Sequence, residues 1–265
     1  MSDVSDRIRA SMAVLGLSFL PSIRPLAVPN DFGDELIPAG TAVLIWYRGE
    51  RYVLSAAHVV ELYPNYTYYI GSMRSWIEIP GPWTVNRPSG GNREGDTIDI
   101  AFRHAPNAFA EQLDGCTFLS ADQQATTEQV RFNGPYRSKY VAIGYPLNAF
   151  KIKRYSKTTV PGNIAYAGGI ASPDSYINEK LSATANLVLD SKWDSIVGEK
   201  GLQTSPKLEG ISGGAIIRLR SIEGLGDLTR PQLAGITIEE RRQARLLVGN
   251  RLGVYTEAIN RARTA

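Results

Sequence analysis

From residue 40 onward the chain is cut into short runs of β-branched and aromatic residues, each closed by a turn signal, and that rhythm most constrains its fold. The run TAVLIWY at 41–47 is followed by Arg48-Gly49-Glu50, a tight turn, and then by YVL at 52–54, which begins the return strand of a hairpin. Further runs lie at 66–70, 76–79 and 98–102, and a second series lies at 140–146, 158–160, 183–189, 215–219, 232–238 and 248–255. With 25 Gly and 15 Pro to supply turns, runs this short and numerous point to an all-β chain, either two antiparallel barrels or a sandwich. Residues 87–96 are loop by composition, and Asn133-Gly134-Pro135 is a strong breaker suited to the crossing between two halves.

The two ends read differently. Residues 1–35 read as a helix followed by a lead-in loop rich in Pro and Asp. The segment ASMAVLGLSFL at 10–20 is apolar, but Asp3 and Asp6 beside Arg7 and Arg9 make a poor signal-peptide start. An amphipathic helix capped near Ser5 is therefore expected, with a processed leader as the alternative. No apolar run approaches the ~20 residues of a membrane span. The tail TEAINRAR at 256–263 reads as a short closing helix capped by Thr256. The expected division is 1–35 as lead-in, 36–132 and 133–253 as two β units, and 254–265 as a C-terminal helix.

Hydrophobic content of 43% with 21% charged residues is that of a folded globular chain rather than a disordered one. A net charge of +3 gives no reason to expect nucleic acid or membrane partners. Lys151-Ile-Lys-Arg-Tyr-Ser-Lys157 sets four positive charges beside a tyrosine, and a solvated strand or loop face is the simpler reading of it than phosphate contact. Cys116 is the only cysteine, so no intrachain disulfide forms, which favours a cytoplasmic location. Cys116 itself reads as a small buried residue rather than a nucleophile. There is no P-loop, no HExxH and no paired-cysteine pattern, so neither a cofactor nor a catalytic metal is expected.

Three segments carry chemistry. Ser212 lies in EGISGGA, where flanking glycines permit a tight turn that presents the hydroxyl and aims backbone N–H groups into one small space. A serine needs a base and oxyanion donors to act as a nucleophile, and the N–H groups of Gly210 and Ser212 are placed to be those donors. Gly210-Ile-Ser-Gly-Gly214 also fits the nucleophile elbow of α/β-hydrolases, but that fold places its histidine after the serine. Both histidines here, His58 and His104, precede it. His58, in VLSAAHVV, is bounded by small residues at the end of an apolar strand, whereas His104 beside Ala105-Pro106 reads as a surface residue. The carboxylate to orient an imidazole is Asp99, at the start of an apolar strand, in preference to Asp96 in the preceding loop.

In the order His, Asp, Ser, these segments resemble the chymotrypsin/trypsin-like serine peptidases. LSAAH at 54–58 is similar to the family's L-T-A-A-H, DIA at 99–101 to its D-I-A, and GISGG at 210–214 to its G-x-S-G-G. QLAGI at 232–236 resembles the strand lining the family's substrate cleft, GVYT at 253–256 the approach to its C-terminal helix, and VAIGYP at 141–146 its bacterial members. The resemblance spans about residues 36–263. It implies two antiparallel Greek-key β-barrels with an N-terminal and a short C-terminal helix, His58, Asp99 and Ser212 as a catalytic triad, and Gly210 and Ser212 as the oxyanion hole. It also implies a substrate pocket with its floor at Pro206 and Lys207 and its wall at Thr237, Ile238, Glu239 and Glu240. Glu239 and Glu240 would favour a basic side chain and Lys207 an acidic one, unless all three face solvent; specificity stays open.

One departure bears on mechanism. Trypsin-type zymogens place before the nucleophile an Asp that pairs with a newly cut N-terminus, and here that residue is Ile211. The oxyanion turn must be held otherwise, or be switched by a partner. The expected function is a serine endopeptidase acting on protein or peptide substrates through an acyl-enzyme, latent until a protein partner activates it or active by itself. The alternative is a protease-fold binding or scaffold module with little turnover.

Overall fold

A computed structural model of the chain describes residues 17–87, 96–126, 139–147, 162–190, 196–198, 201–203, 210–221 and 228–264. The expected N-terminal helix, the breaker at 133–135, the strand run at 158–160 and the basic segment 151–157 lie outside the described residues.

Among the described residues the first sheet has seven strands: β1 Ile23–Pro29, β2 Leu36–Tyr47, β3 Glu50–Ser55, β4 Tyr69–Gly71, β5 Trp76–Glu78, β6 Thr84–Val85 and β7 Ala101–His104. Their spatial order is β5-β4-β1-β2-β3-β7-β6, and every pairing is antiparallel. The return of β4 to lie beside β1 after three hairpin-linked strands is a Greek key. The hairpin between β2 and β3 turns at Arg48 and Gly49, with φ of 49° and 81°. Two left-handed residues give the turn whose twist matches the flanking strands, and Gly49 takes that conformation without steric cost.

β1 corrects the reading of residues 1–35 as helix and loop. Its sequence, IRPLAVP, is buried from Ile23 to Val28 and forms an inner strand of the sheet. Pro25 and Pro29 read as loop punctuation, yet β4 pairs only with Leu26 and Ala27, so neither proline interrupts that ladder.

Among the described residues the second sheet has eight strands: β8 Lys139–Gly144, β9 Ile164–Gly169, β10 Asn186–Asp190, β11 Ile196–Gly198, β12 Gly201–Gln203, β13 Ala215–Ser221, β14 Leu228–Arg241 and β15 Leu246–Arg251. Its order is β10-β15-β14-β13-β8-β9-β11-β12, again antiparallel throughout. Short helices interrupt the strands: α1 Ala57–Glu61, α2 Asn107–Ala110 and α3 Pro173–Asn178, with α4 Leu252–Thr264 closing the chain. None of the described helices is long and apolar enough to cross a membrane.

The start of α4 is a second correction. The apolar run 248–255 reads as strand, with Thr256 as cap, but the helix begins at Leu252. Leu252, Tyr255 and Ile259 fall on one helical face and are fully buried, while the Thr256 hydroxyl donates to the Gly253 carbonyl inside the helix at 3.0 Å. That face lies in a core cluster holding Val43, Leu54 and Phe102 from the first sheet and Val141, Ile143, Ala215 and Ile236 from the second. This apolar cluster thus fastens the two sheets, and burial of each of its larger aliphatic or Phe side chains contributes roughly 1.5–3 kcal/mol.

Candidate active site

α1 follows β3 directly, and this sets the position of His58. Residue 56, the helix N-cap, is alanine, which offers no side chain to the unpaired N–H groups of the first turn. Asp99 supplies what Ala56 lacks: its Oδ1 accepts the backbone N–H of His58 at 2.9 Å, and its Oδ2 meets the Nδ1 of the same residue. The carboxylate therefore holds both the backbone and the ring of His58. The histidine side chain is 46% exposed and the Asp99 side chain 12%. Asp96 instead turns inward on its own loop, accepting the Ile98 N–H at 3.0 Å.

Asp99 is itself held from the second sheet. Its N–H donates to Asn250 Oδ1 at 2.8 Å, and the side-chain amides of Asn250 and Asn186 both donate to the Thr97 carbonyl at 2.7 Å. Both asparagines are fully buried, so their polar groups must be satisfied internally. Nearby, the Tyr255 hydroxyl donates to the Ser55 carbonyl at 2.9 Å. Burial raises the Tyr255 phenol well above its usual value, and the Asp99 charge adds to the effect.

Ser212 lies in a turn with two left-handed glycines, Gly210 at φ 96° and Gly213 at φ 85°. The turn closes through Gly214 N–H to the Ile211 carbonyl at 2.8 Å. It is joined to β14 by Gly213 N–H to Thr237 O at 2.8 Å and Thr237 N–H to Gly214 O at 2.7 Å. Gly213 has no alternative residue: a Cβ there would lie 1.8 Å from the Thr41 carbonyl oxygen. Gly40 links the turn to α1, since a Cβ on it would be 2.7 Å from a Val59 methyl and 3.2 Å from the Ser212 carbonyl oxygen. The Ser212 hydroxyl donates to the Ile238 carbonyl at 3.0 Å, and among the described residues it makes no hydrogen bond to His58. No described residue accepts the amide N–H of Gly210 or of Ser212.

The structure brings Thr237 and Ile238 to this turn. The Thr237 hydroxyl is buried with no hydrogen-bond partner among the described residues. Glu239 and Glu240 pair with arginines close by in sequence: Arg241 meets Glu239 at 2.6 Å and also Glu179 at 2.9 Å, and Arg242, just past β14, meets Glu240 at 2.7 Å. Both carboxylates are therefore partly neutralised. Pro206 and Lys207 lie outside the described residues. His104 stands exposed at the end of β7, edge-on to Tyr52. Cys116 is half-buried, and burial raises its thiol above the usual value, away from a reactive thiolate. Sequence reasoning passed over Thr41, Asn186 and Asn250. The signal was there, because a polar residue inside an apolar strand must find a partner or incur a desolvation cost.

No family model matches the chain, and no curated protein does. Solved structures do match. The serine protease domain of the Sesbania mosaic virus polyprotein aligns at a TM-score of 0.51 and 12% identity, over 89% of this chain and 91% of that one. A structure from work on the coupled folding and binding of the intrinsically disordered Sesbania mosaic virus VPg protein aligns at 0.49 and 14%, over 88% and 86%. Rv3671c of Mycobacterium tuberculosis, in the inactive form of a serine-to-alanine mutant, aligns at 0.46 and 15%, over 97% and 90%. Two antiparallel sheets, one curled into a half-barrel, and the viral protease domain together define the class of fold: chymotrypsin-like, as in serine proteases.

Proposed function

We propose that the protein is a serine endopeptidase, with Ser212 as nucleophile, His58 as general base and Asp99 as the residue that orients it. One observation carries this reading: the Asp99 carboxylate grips both the backbone N–H and the Nδ1 of His58, whose chain neighbour Val59 flanks Gly40 together with the Ser212 carbonyl. With Nδ1–H held by Asp99, the free Nε2 of the imidazole is the acceptor. Rotation of the Ser212 side chain releases its hydroxyl from Ile238 and turns it to Nε2. The hydroxyl then attacks the peptide carbonyl as its proton passes to His58, which returns it to the leaving amine. The acyl-enzyme is hydrolysed by water along the same route in reverse. The N–H groups of Gly210 and Ser212, which no described residue engages, receive the oxyanion. In this reading Thr237, Ile238, Glu239 and Glu240 form one wall of the substrate cleft.

A peptide-library cleavage profile of the wild-type chain against Ser212→Ala tests this reading. The wild type cleaves with a defined residue preference, and the variant loses turnover by several orders of magnitude while keeping its melting temperature. Equal cleavage by both proteins contradicts it. A second reading rests on the Ser212 hydroxyl being directed to Ile238 rather than His58: a protease-fold binding module, or an enzyme latent until a protein partner turns that hydroxyl. Turnover that appears only on adding a cell extract favours the latent form.

A further inference from the structure

The residue before the nucleophile is Ile211, 2% exposed and packed where a Cβ on Gly144 would meet it at 2.6 Å, so this residue brings no charge to hold the oxyanion turn in place. Thr41 stands in the position to do so from the opposite sheet. It is fully buried near the middle of β2, and each of its polar atoms is used. Its N–H donates to the Ser212 carbonyl at 3.0 Å, and its hydroxyl donates to the Gly210 carbonyl at 2.9 Å. That hydroxyl also accepts the Tyr145 N–H at 2.9 Å, and the Thr41 carbonyl accepts the Ser55 hydroxyl at 2.8 Å.

We propose that Thr41 is the positioning residue of the oxyanion turn, fixing the peptide planes on both sides of the one that carries the Ser212 N–H. Fixing the Gly210 carbonyl sets the 210–211 plane, and fixing the Ser212 carbonyl sets the 212–213 plane. The 211–212 peptide, which bears the Ser212 donor, lies between them and follows their orientation. Glycine at φ 96° has several backbone states open to it, and a flip of the 210–211 peptide would break the bond to the Thr41 hydroxyl. Oxyanion donors accelerate a reaction only when aimed before the charge develops. The Thr41 hydroxyl therefore acts on kcat and not on substrate affinity. This inference rests on the serine-peptidase reading of the same site.

The test compares the full-length wild type with Thr41→Val, which keeps shape and backbone but removes the hydroxyl, and with Thr41→Ser, which retains it. Steady-state cleavage, affinity for a peptide boronic acid and the rate of fluorophosphonate labelling at Ser212 are measured on each. Thr41→Val is expected to lose roughly 10- to 100-fold in kcat, below the loss on deleting a donor outright, with KM within about 2-fold. Boronate affinity and labelling rate should fall in parallel, and Thr41→Ser should recover most of the loss. If the valine variant fails to fold, Thr41→Ala, which leaves room for a water at Tyr145 N–H, carries the same comparison. Labelling and kcat of Thr41→Val (or Thr41→Ala) within about 2-fold of wild type overturn the inference and leave the peptidase reading standing. So does a loss in Thr41→Ser as deep as in the valine variant. A wild type that neither cleaves nor labels at Ser212 removes both.

Discussion

At the scale of single residues, the site depends on a carboxylate that serves two purposes. Asp99 caps a helix whose own N-cap is alanine, and it also meets the Nδ1 of the histidine in that helix, which in the proposed reading sets the tautomer. Asp99→Asn separates the two. Its amide oxygen can still accept the His58 N–H, so the fold should lose no more than about 1 kcal/mol, since a single hydrogen bond is at stake. Its NH2 group facing Nδ1 forces the proton to Nε2, leaving no lone pair for Ser212. A loss of about 10⁴-fold in kcat is expected, the magnitude such a change has in a Ser-His-Asp triad. Steady-state kinetics beside thermal denaturation checks this; a drop in melting temperature with unchanged kcat would make Asp99 a structural cap only.

At the scale of elements, the two sheets meet through polar side chains that look misplaced in their own strands. Asn250 ends the apolar run of β15 and reaches into the loop before β7, and Thr41 reaches from β2 to the Ser212 turn. Asn250→Ala leaves the Asp99 N–H without its partner and opens a cavity. A loss of about 2–4 kcal/mol in urea denaturation is expected, since a buried unsatisfied group alone costs about 1–3 kcal/mol. A loss below about 1 kcal/mol would mean that water replaces the side chain. The strands β2, β3, β8, β13 and β14 were legible in the sequence because alternation and turn residues are local signals: the β2–β3 hairpin turns where Arg48-Gly49 stands. β1 was not legible, because Pro25 and Pro29 carry the same local signal as a loop and only the short pairing with β4 explains them. The start of α4 was hidden likewise, since an apolar strand ending and an apolar helix beginning look alike until Leu252, Tyr255 and Ile259 are seen to share a face. His58 and Asp99, both named from the sequence, are in contact. Thr41 and Asn250 were not singled out, because their partners are remote in sequence.

At the scale of the whole molecule, buried tyrosines tie stability to alkaline pH. Burial raises Tyr176 to about 12, burial with a hydrogen bond to Glu50 raises Tyr52 to about 12, and burial raises Tyr68, Tyr145 and Tyr255 above the ordinary value of 10. A phenol with a raised folded-state pKa keeps its proton longer in the native chain than in the unfolded one, so its contribution is whole below pH 10 and declines as pH rises toward 12. The melting temperature should hold through pH 9 and fall steeply above pH 10, with tyrosinate absorbance appearing on unfolding. Tyrosinate forming in the native chain with no fall in melting temperature would contradict that burial. In the proposed reading, the core that shields these phenols also brings His58 and Asp99 to the turn of Ser212. Fluorophosphonate labelling followed by mapping of the modified peptide tests that convergence most directly. Modification at Ser212 that is lost in His58→Ala is the expected result. A native chain left unlabelled both alone and with cell extract, or labelled equally in His58→Ala, would contradict it.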